Sequence, residues 1–333
     1  MGLIIAHKQL NRQPFGVIMS SIETILYIYF LEWRIYMNQD NNWNNEDLQF
    51  RGSNFSPYEG NEQANANYGN TTYSNQSYDD TRYNNSYYGY DGSGSQQTDY
   101  YTGGAGIAYD PIASEERAKE VLGYSFGCMM IALFLSAASA VYVYQSGLVI
   151  SFLLNPYLFF GILIGELVVV AMANSAMSKR NTLLSAIMFI TYSVLNGMTF
   201  SIYLLAYAGA TIWTIFLVTA IMFGVLSFIG LRTSLRVDGL GSAGLMLLTG
   251  VIALSIINLF FQSSALDLVI AVVGLATFIG LTIYDTKRIK EIAYEDIESP
   301  TMLLGLYGAL QLYLDFINIL LKLLRLFGGR GRD

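Results

Sequence analysis

Residues 310–321 read LQLYLDFINILL. The run is apolar except at Gln311, Asp315 and Asn318, and Lys322 follows it directly. Relative to Asp315 these residues stand at i−4, i+3 and i+7, a spacing that puts side chains on one face of an α-helix. The stretch is therefore a helix with one polar stripe in otherwise apolar sequence, and that stripe must face protein or water. A carboxylate at membrane depth costs roughly 2.5–3.5 kcal/mol on insertion scales, so such residues turn inward and mark pathways or proton sites.

Working outward, the sequence after Pro111 holds seven apolar segments: Val121–Tyr144, Tyr157–Met177, Leu183–Ala208, Ile212–Leu231, Ala243–Phe261, Leu266–Tyr284 and Met302–Leu321. Each is 19 to 26 residues long. About 20 residues cross a ~30 Å hydrocarbon layer as a helix. Lipid offers the backbone no hydrogen bonds, so only helices or closed barrels span it, and these lengths fit helices. After Pro111 only Pro156 and Pro300 remain, just before the second and seventh segments, where they punctuate loops and kink no span. Charged residues make up 13% of the chain, against about 25% in soluble domains. The fold class is thus an all-α integral membrane protein. Ser114 reads as the N-cap of the first helix, with Glu115 and Glu116 in its first turn.

Basic residues occupy alternate connections. Arg117 and Lys119 precede the first segment; Lys179 and Arg180 lie in the 2–3 loop, Arg232 and Arg236 in the 4–5 loop, and Lys287, Arg288 and Lys290 in the 6–7 loop. The 1–2, 3–4 and 5–6 loops have none. The positive-inside rule makes the basic loops and the N-terminus cytoplasmic. The C-terminus departs from this pattern, because Lys322, Arg325, Arg330 and Arg332 cluster where seven spans would emerge on the opposite side. Either the seventh helix crosses against the local bias or the last segment re-enters; the coherence of the other loops favours seven spans.

Two further carboxylates lie in apolar sequence, Glu166 near mid-span in the second segment and Asp285 at the end of the sixth. No lysine or arginine within a span stands obviously opposite the three. Carboxylates that meet without a cation cannot both ionise cheaply, so a pair shares a proton and acts as a pH-dependent latch. Asp285 reads either as an interface residue beside Lys287 and Arg288 or as a partner of Asp315. The second reading requires the sixth helix to continue to about Ile292. Glu166 reads either as lining the same cavity or as a hydrogen-bonded structural residue, with Gln311 and Asn318 on the ion path. Gly161 and Gly165 in the second segment, and Ala132, Ser136 and Ala140 in the first, are expected to let helices approach closely.

The chain before the spans divides in two. Residues 38–112 form a low-complexity tail of Asn, Gln, Ser, Gly, Asp and Tyr; within it, residues 38–110 hold 2 basic and 10 acidic side chains. Few aliphatic residues and no periodicity predict disorder. Residues 111–333 hold 13 of each sign, so the net charge of −7 belongs to the tail. Within residues 1–37, Phe15–Leu31 is apolar and interrupted by Glu23. It reads as a signal-type segment, as a short span, or as sequence ahead of a true start at Met37; we favour the last.

The single cysteine, Cys128, and single histidine, His7, offer no disulfide, no Cys/His metal cluster and no ordinary nucleophile–base pair. No cofactor is expected, and a strongly basic nucleic-acid surface is lacking.

The run TIYDTKRIKEIA at 282–293 and the run GALQLYLDFINILLKLLRLFG at 308–328 resemble the Bax inhibitor-1 family, the bacterial YccA-like or transmembrane Bax-inhibitor-motif proteins. The resemblance extends over about Ala113 to Phe327, within a membrane domain of residues 113–333. It implies a seven-transmembrane-helix bundle with the C-terminal helix central. It also implies a pH-sensitive calcium leak in which Asp285 and Asp315 share a proton and gate the pore, with calcium held only transiently near them. Glu166 is carried over with them as an ion-path residue.

Two rivals remain. Paired aspartates in adjacent helices also suit an intramembrane aspartyl protease, but Leu314 replaces the glycine expected before the second aspartate and no proline follows Pro300. The protein is therefore expected not to be an enzyme. A regulatory protein that binds a membrane protease or another helical partner, without conducting ions, is the alternative. The expected location is a bacterial inner membrane.

Overall fold

The computed structural model describes residues 101–102, 108–109, 111–233 and 238–328. The apolar Phe15–Leu31 segment, the Met37 start, nearly all of the tail, and Arg236, Arg330 and Arg332 lie outside the described residues. The chain divides into two compact units. In the unit Asp40–Tyr109, strands β1 (Tyr101–Thr102) and β2 (Ala108–Tyr109) pair antiparallel, Tyr101 opposite Tyr109.

The second unit is helical among its described residues: α1 (Pro111–Gln145), α2 (Leu148–Leu154), α3 (Pro156–Ser178), α4 (Thr182–Ala206), α5 (Gly209–Arg232), α6 (Asp238–Phe261), α7 (Ser264–Glu295) and α8 (Thr301–Phe327). Local chemistry sets several of these boundaries. Asn155 Oδ1 accepts from Leu158 N at 3.3 Å ahead of Pro156, which occupies the first turn of α3. There its missing N–H has no partner to lose. Asn181 caps α4 through Leu184 N at 3.1 Å, and Ser263 caps α7 through Leu266 N at 3.4 Å. Ser114 is not the N-cap expected of it, because α1 already begins at Pro111, a residue suited to the first helical position. The short α2 was not expected; its Val149 and Phe152 are buried, so the 1–2 connection folds back onto the bundle.

Seven of these helices are long and apolar enough to cross a membrane. They differ sharply in what surrounds them. In six, 28–39% of the most apolar window is buried; in α8 the share is 94%. The C-terminal helix is therefore central, with α1, α4, α5 and α7 packed against it. Large apolar side chains such as Phe134, Phe228 and Met246 point outward, 73%, 60% and 76% exposed. On a water-facing surface that pattern would be anomalous, and lipid is the solvent that suits it.

The seventh span is complete. α8 runs 27 residues without a break, about 40 Å at 1.5 Å per residue. Near its end, Arg325 Nη2 lies 3.5 Å from Asp267 Oδ1 in the first turn of α7. At Gly328 an added Cβ would come within 2.7 Å of the Tyr207 ring, in the 3–4 connection. The end of α8 thus shares a face with the 3–4 and 5–6 connections, which a re-entrant segment would not do. Asp267 offsets one of the positive charges there.

The small-residue expectation holds for one helix and fails for the other. Ala132, Ser136 and Ala140 are all buried. A Cβ on Gly197 of α4 would run into the Ser136 backbone, so these two helices meet backbone to backbone. At Gly161 and Gly165 nothing lies within 4 Å of an added Cβ. They face outward from α3 and join no helices among the described residues, because α3 packs through other residues.

Candidate ion pathway

The site is built where α7 meets α8. A short connection, 296–300, makes the two helices antiparallel. Their register is fixed where Gly308 faces Ile289: a Cβ on Gly308 would stand 2.9 Å from Ile289 Cδ1. Counting four residues along each helix brings Asp285 level with Leu312. Asp315 is then three residues away, about 4.5 Å of helical rise. Asp285 is four residues from Ile289 and Asp315 seven from Gly308, so each shares a face with the residue that makes the contact. Both aspartates are fully buried. α7 extends to Glu295, which satisfies the condition for the two to meet, and the interface reading of Asp285 does not fit its burial.

The surroundings are polar but largely tied to backbone. Thr282 and Thr286 donate to the carbonyls of Phe278 and Thr282, each at 2.8 Å. Asn318 Nδ2 donates to Leu314 O at 2.8 Å, and Gln311 Nε2 to the Tyr307 hydroxyl at 3.2 Å. Gln311 Oε1 is buried with no hydrogen-bond partner among the described residues. An amide oxygen in that state is available to a proton donor or a cation.

Glu166 occupies a different part of the bundle. It is fully buried on α3, where its Oε1 accepts from Thr199 Oγ1 of α4 at 2.5 Å and its Oε2 has no hydrogen-bond partner among the described residues. The Tyr313 hydroxyl of α8 is 2.7 Å from Ser136 Oγ, and its ring lies 5.9 Å from that of Tyr192 on α4. Ser136 Oγ also lies 2.8 Å from Ser193 O. Tyr313 precedes Asp315 by two residues, about 200° around the helix. Glu166 is therefore held on the α4 side of the bundle and Asp285 on the α7 side.

Three features were not foreseen. Lys322 is completely buried, which corrects the expectation that no cation within a span accompanies the carboxylates. Its place on the Asp315 stripe at i+7 was the available signal. The second is a clasp on the basic end. Arg117 of α1 donates through Nε to Ala293 O at 3.2 Å, and through Nη2 to Asp296 O at 2.8 Å and Ser299 O at 2.5 Å. The third belongs to the same end: Arg180, after α3, pairs with Glu298 at 3.1 Å and Asp296 at 3.9 Å. The loop joining the two aspartate helices is thus held by two arginines from elsewhere in the bundle. Nothing local in the sequence pairs positions so far apart.

A family model described as inhibitor of apoptosis-promoting Bax1 matches residues 118–332. The inner membrane protein YbhL of Escherichia coli strain K12 is 36% identical over 209 residues, 62% of this chain and 89% of that protein. An uncharacterized membrane protein of Streptococcus pyogenes serotype M1 is 36% identical over 188 residues, 56% of this chain and 82% of its own length. An uncharacterized protein of Borreliella burgdorferi strain B31 is 32% identical over 212 residues, 62% of this chain and 91% of its own.

Proposed function

The chain belongs to the family of the inhibitor of apoptosis-promoting Bax1, and on that premise we propose that it is a pH-sensitive calcium leak gated by Asp285 and Asp315. One observation carries the reading: two fully buried carboxylates stand on the facing surfaces of α7 and the central α8. Two such groups cannot both carry charge cheaply without a cation or a shared proton. Calcium is a hard cation that takes oxygen ligands, and the Gln311 amide oxygen adds another on the same stripe. Asn318 extends the polar lining of that stripe, and Glu166 lies apart from it, bonded to Thr199 of α4. No bond is made or broken in this reading, so the protein is not an enzyme. The basic connections face the cytoplasm by the positive-inside rule, and a bacterial inner membrane is the location, as the name of the Escherichia coli relative states for that protein.

The test is flux into liposomes that contain a calcium dye. Purified protein passes Ca²⁺, with a rate that changes between about pH 6 and 8 as the shared proton is lost. Asp285→Asn and Asp315→Asn each remove the pH response. Unchanged pH dependence in both variants refutes the gating pair.

A second reading, a regulatory protein that binds a membrane protease or another helical partner, is favoured by α1. Gly123 and Gly127 lie one turn apart on an exposed face, with nothing within 4 Å of an added Cβ at either. Such a recess lets a partner helix approach closely. The absence of flux at every pH, with partner capture that is lost in Gly127→Leu, selects this reading.

A further inference from the structure

Glu166 sits near the middle of the 23-residue α3 and is fully buried. It is the only charged residue of that helix. The helices against which α3 packs, α4 and α2, contain no lysine, arginine, histidine, aspartate or glutamate. The ionisable side chains of α4 are Tyr192 and Tyr203, neutral below about pH 10, and α2 has none. No cation on these elements therefore offsets a charge at Glu166. A carboxylate at membrane depth without a counter-ion is costly, and keeping a proton removes that cost.

The hydrogen bonds point the same way. Oε1 accepts from Thr199 Oγ1 at 2.5 Å, while Oε2 is buried with no hydrogen-bond partner among the described residues. One turn before Thr199, on the same face of α4, lies Asn196. Its Nδ2 donates to the Tyr192 hydroxyl at 3.4 Å, and its Oδ1 is likewise buried with no hydrogen-bond partner among the described residues. An ionised carboxylate only accepts, so both oxygens would stay orphaned; a protonated one has an O–H to give. A single proton on Oε2 satisfies the two together, with Glu166 donating to Asn196 Oδ1 directly or through one buried water.

We propose that Glu166 is a proton-binding residue distinct from the pair Asp285 and Asp315, held as the neutral acid, and that its proton ties α3 to α4 in the middle of the membrane. Losing the proton leaves a charge between two helices that offer nothing to offset it, so α3 loosens from α4 as pH rises. The sign follows from linkage: the folded state holds a proton that the unfolded state releases, and stability falls with rising pH. The inference concerns proton binding alone and stands whether or not the protein passes ions.

The experiment is infrared spectroscopy of the reconstituted full chain at about pH 7, where exposed glutamates are ionised, with and without isotope-labelled glutamate. The label separates glutamate from the aspartate pair. Wild-type protein shows the C=O stretch of a protonated carboxyl, and that band moves with the label. Glu166→Gln, which keeps the shape and replaces the O–H donor by an N–H donor, abolishes the band. Asn196→Leu removes the acceptor and shifts the band to higher frequency. The melting temperature in detergent falls from about pH 6 to 9 by more in wild type than in Glu166→Gln. Absence of a label-sensitive band from wild type, which needs no variant to measure, overturns the proposal. So does a band that persists in Glu166→Gln, or one that stays in place in Asn196→Leu.

Discussion

Arg117→Gln probes the clasp that holds the loop between the two aspartate helices. The guanidinium makes three hydrogen bonds, at 3.2, 2.8 and 2.5 Å, to the carbonyls of Ala293, Asp296 and Ser299. Two of these belong to the last turn and cap of α7, where helical carbonyls have no partner within the helix. A hydrogen bond to a charged donor contributes roughly 1.5–3 kcal/mol net. Three such bonds do not add in full, because one guanidinium makes them all and the site is only part-buried, so water replaces some of the loss. The expected destabilisation is about 2–4 kcal/mol, a fall in melting temperature on the order of 5–15 °C for a domain of this size. Arg117→Lys recovers less than half, because an ammonium cannot reproduce the planar fork. Thermal unfolding of purified protein in detergent measures the shift, and hydrogen exchange over 293–300 reads the loop directly. A melting temperature within about 1 °C of wild type for Arg117→Gln, with unchanged exchange in the loop, would refute the reasoning.

Other expectations follow from the same contacts. Gly197→Val forces α4 off the Ser136 backbone and costs about 2–3 kcal/mol or abolishes folding, whereas Gly161→Leu stays within about 0.5 kcal/mol of wild type; thermal unfolding of the pair separates a packed glycine from a lipid-facing one. Tyr313→Phe removes the 2.7 Å contact with Ser136 Oγ and lowers stability by about 1 kcal/mol in thermal unfolding, because Ser136 keeps the Ser193 carbonyl as a partner. In a Cys128→Ser background, Gln262→Cys reacts with a membrane-impermeant thiol reagent added to spheroplasts, and Glu298→Cys reacts only after permeabilisation. The reverse result inverts the orientation assigned from the basic loops.

Much of the fold was legible because its signals are local and additive. Segment length against bilayer thickness, the two loop prolines, and the alternation of basic connections each depend on residues close together in the chain. The helices of the structure accordingly contain nearly all of every segment read from sequence. The candidate site was legible for a related reason. A carboxylate in apolar sequence is expensive wherever it lands, so Asp285, Asp315 and Glu166 declare themselves before any packing is known. Where the reading failed, the missing information was relational. Gly161 and Gly165 have the spacing of a packing face, yet spacing does not say whether a neighbour is present. Gly123 and Gly127 carry the same pattern and were passed over. Lys322 was noticed as part of the stripe but treated as an end-of-helix charge, because depth along a helix depends on how far that helix extends.

The amino-acid sequence alone determined that this chain spans a membrane seven times and holds three carboxylates where charge is costly. Transfer free energies and helix rise act residue by residue and need no knowledge of neighbours. Only the tertiary structure decided that α8 is the enclosed helix on packing grounds, and that Asp285 and Asp315 stand on facing surfaces while Glu166 lies around the other side. It also decided that Lys322 is buried with them and that Arg117 reaches the loop between their helices. Those outcomes depend on register and rotation between helices. They are set by a few close backbone approaches, Gly308 against Ile289 and Gly197 against Ser136, between residues far apart in the chain.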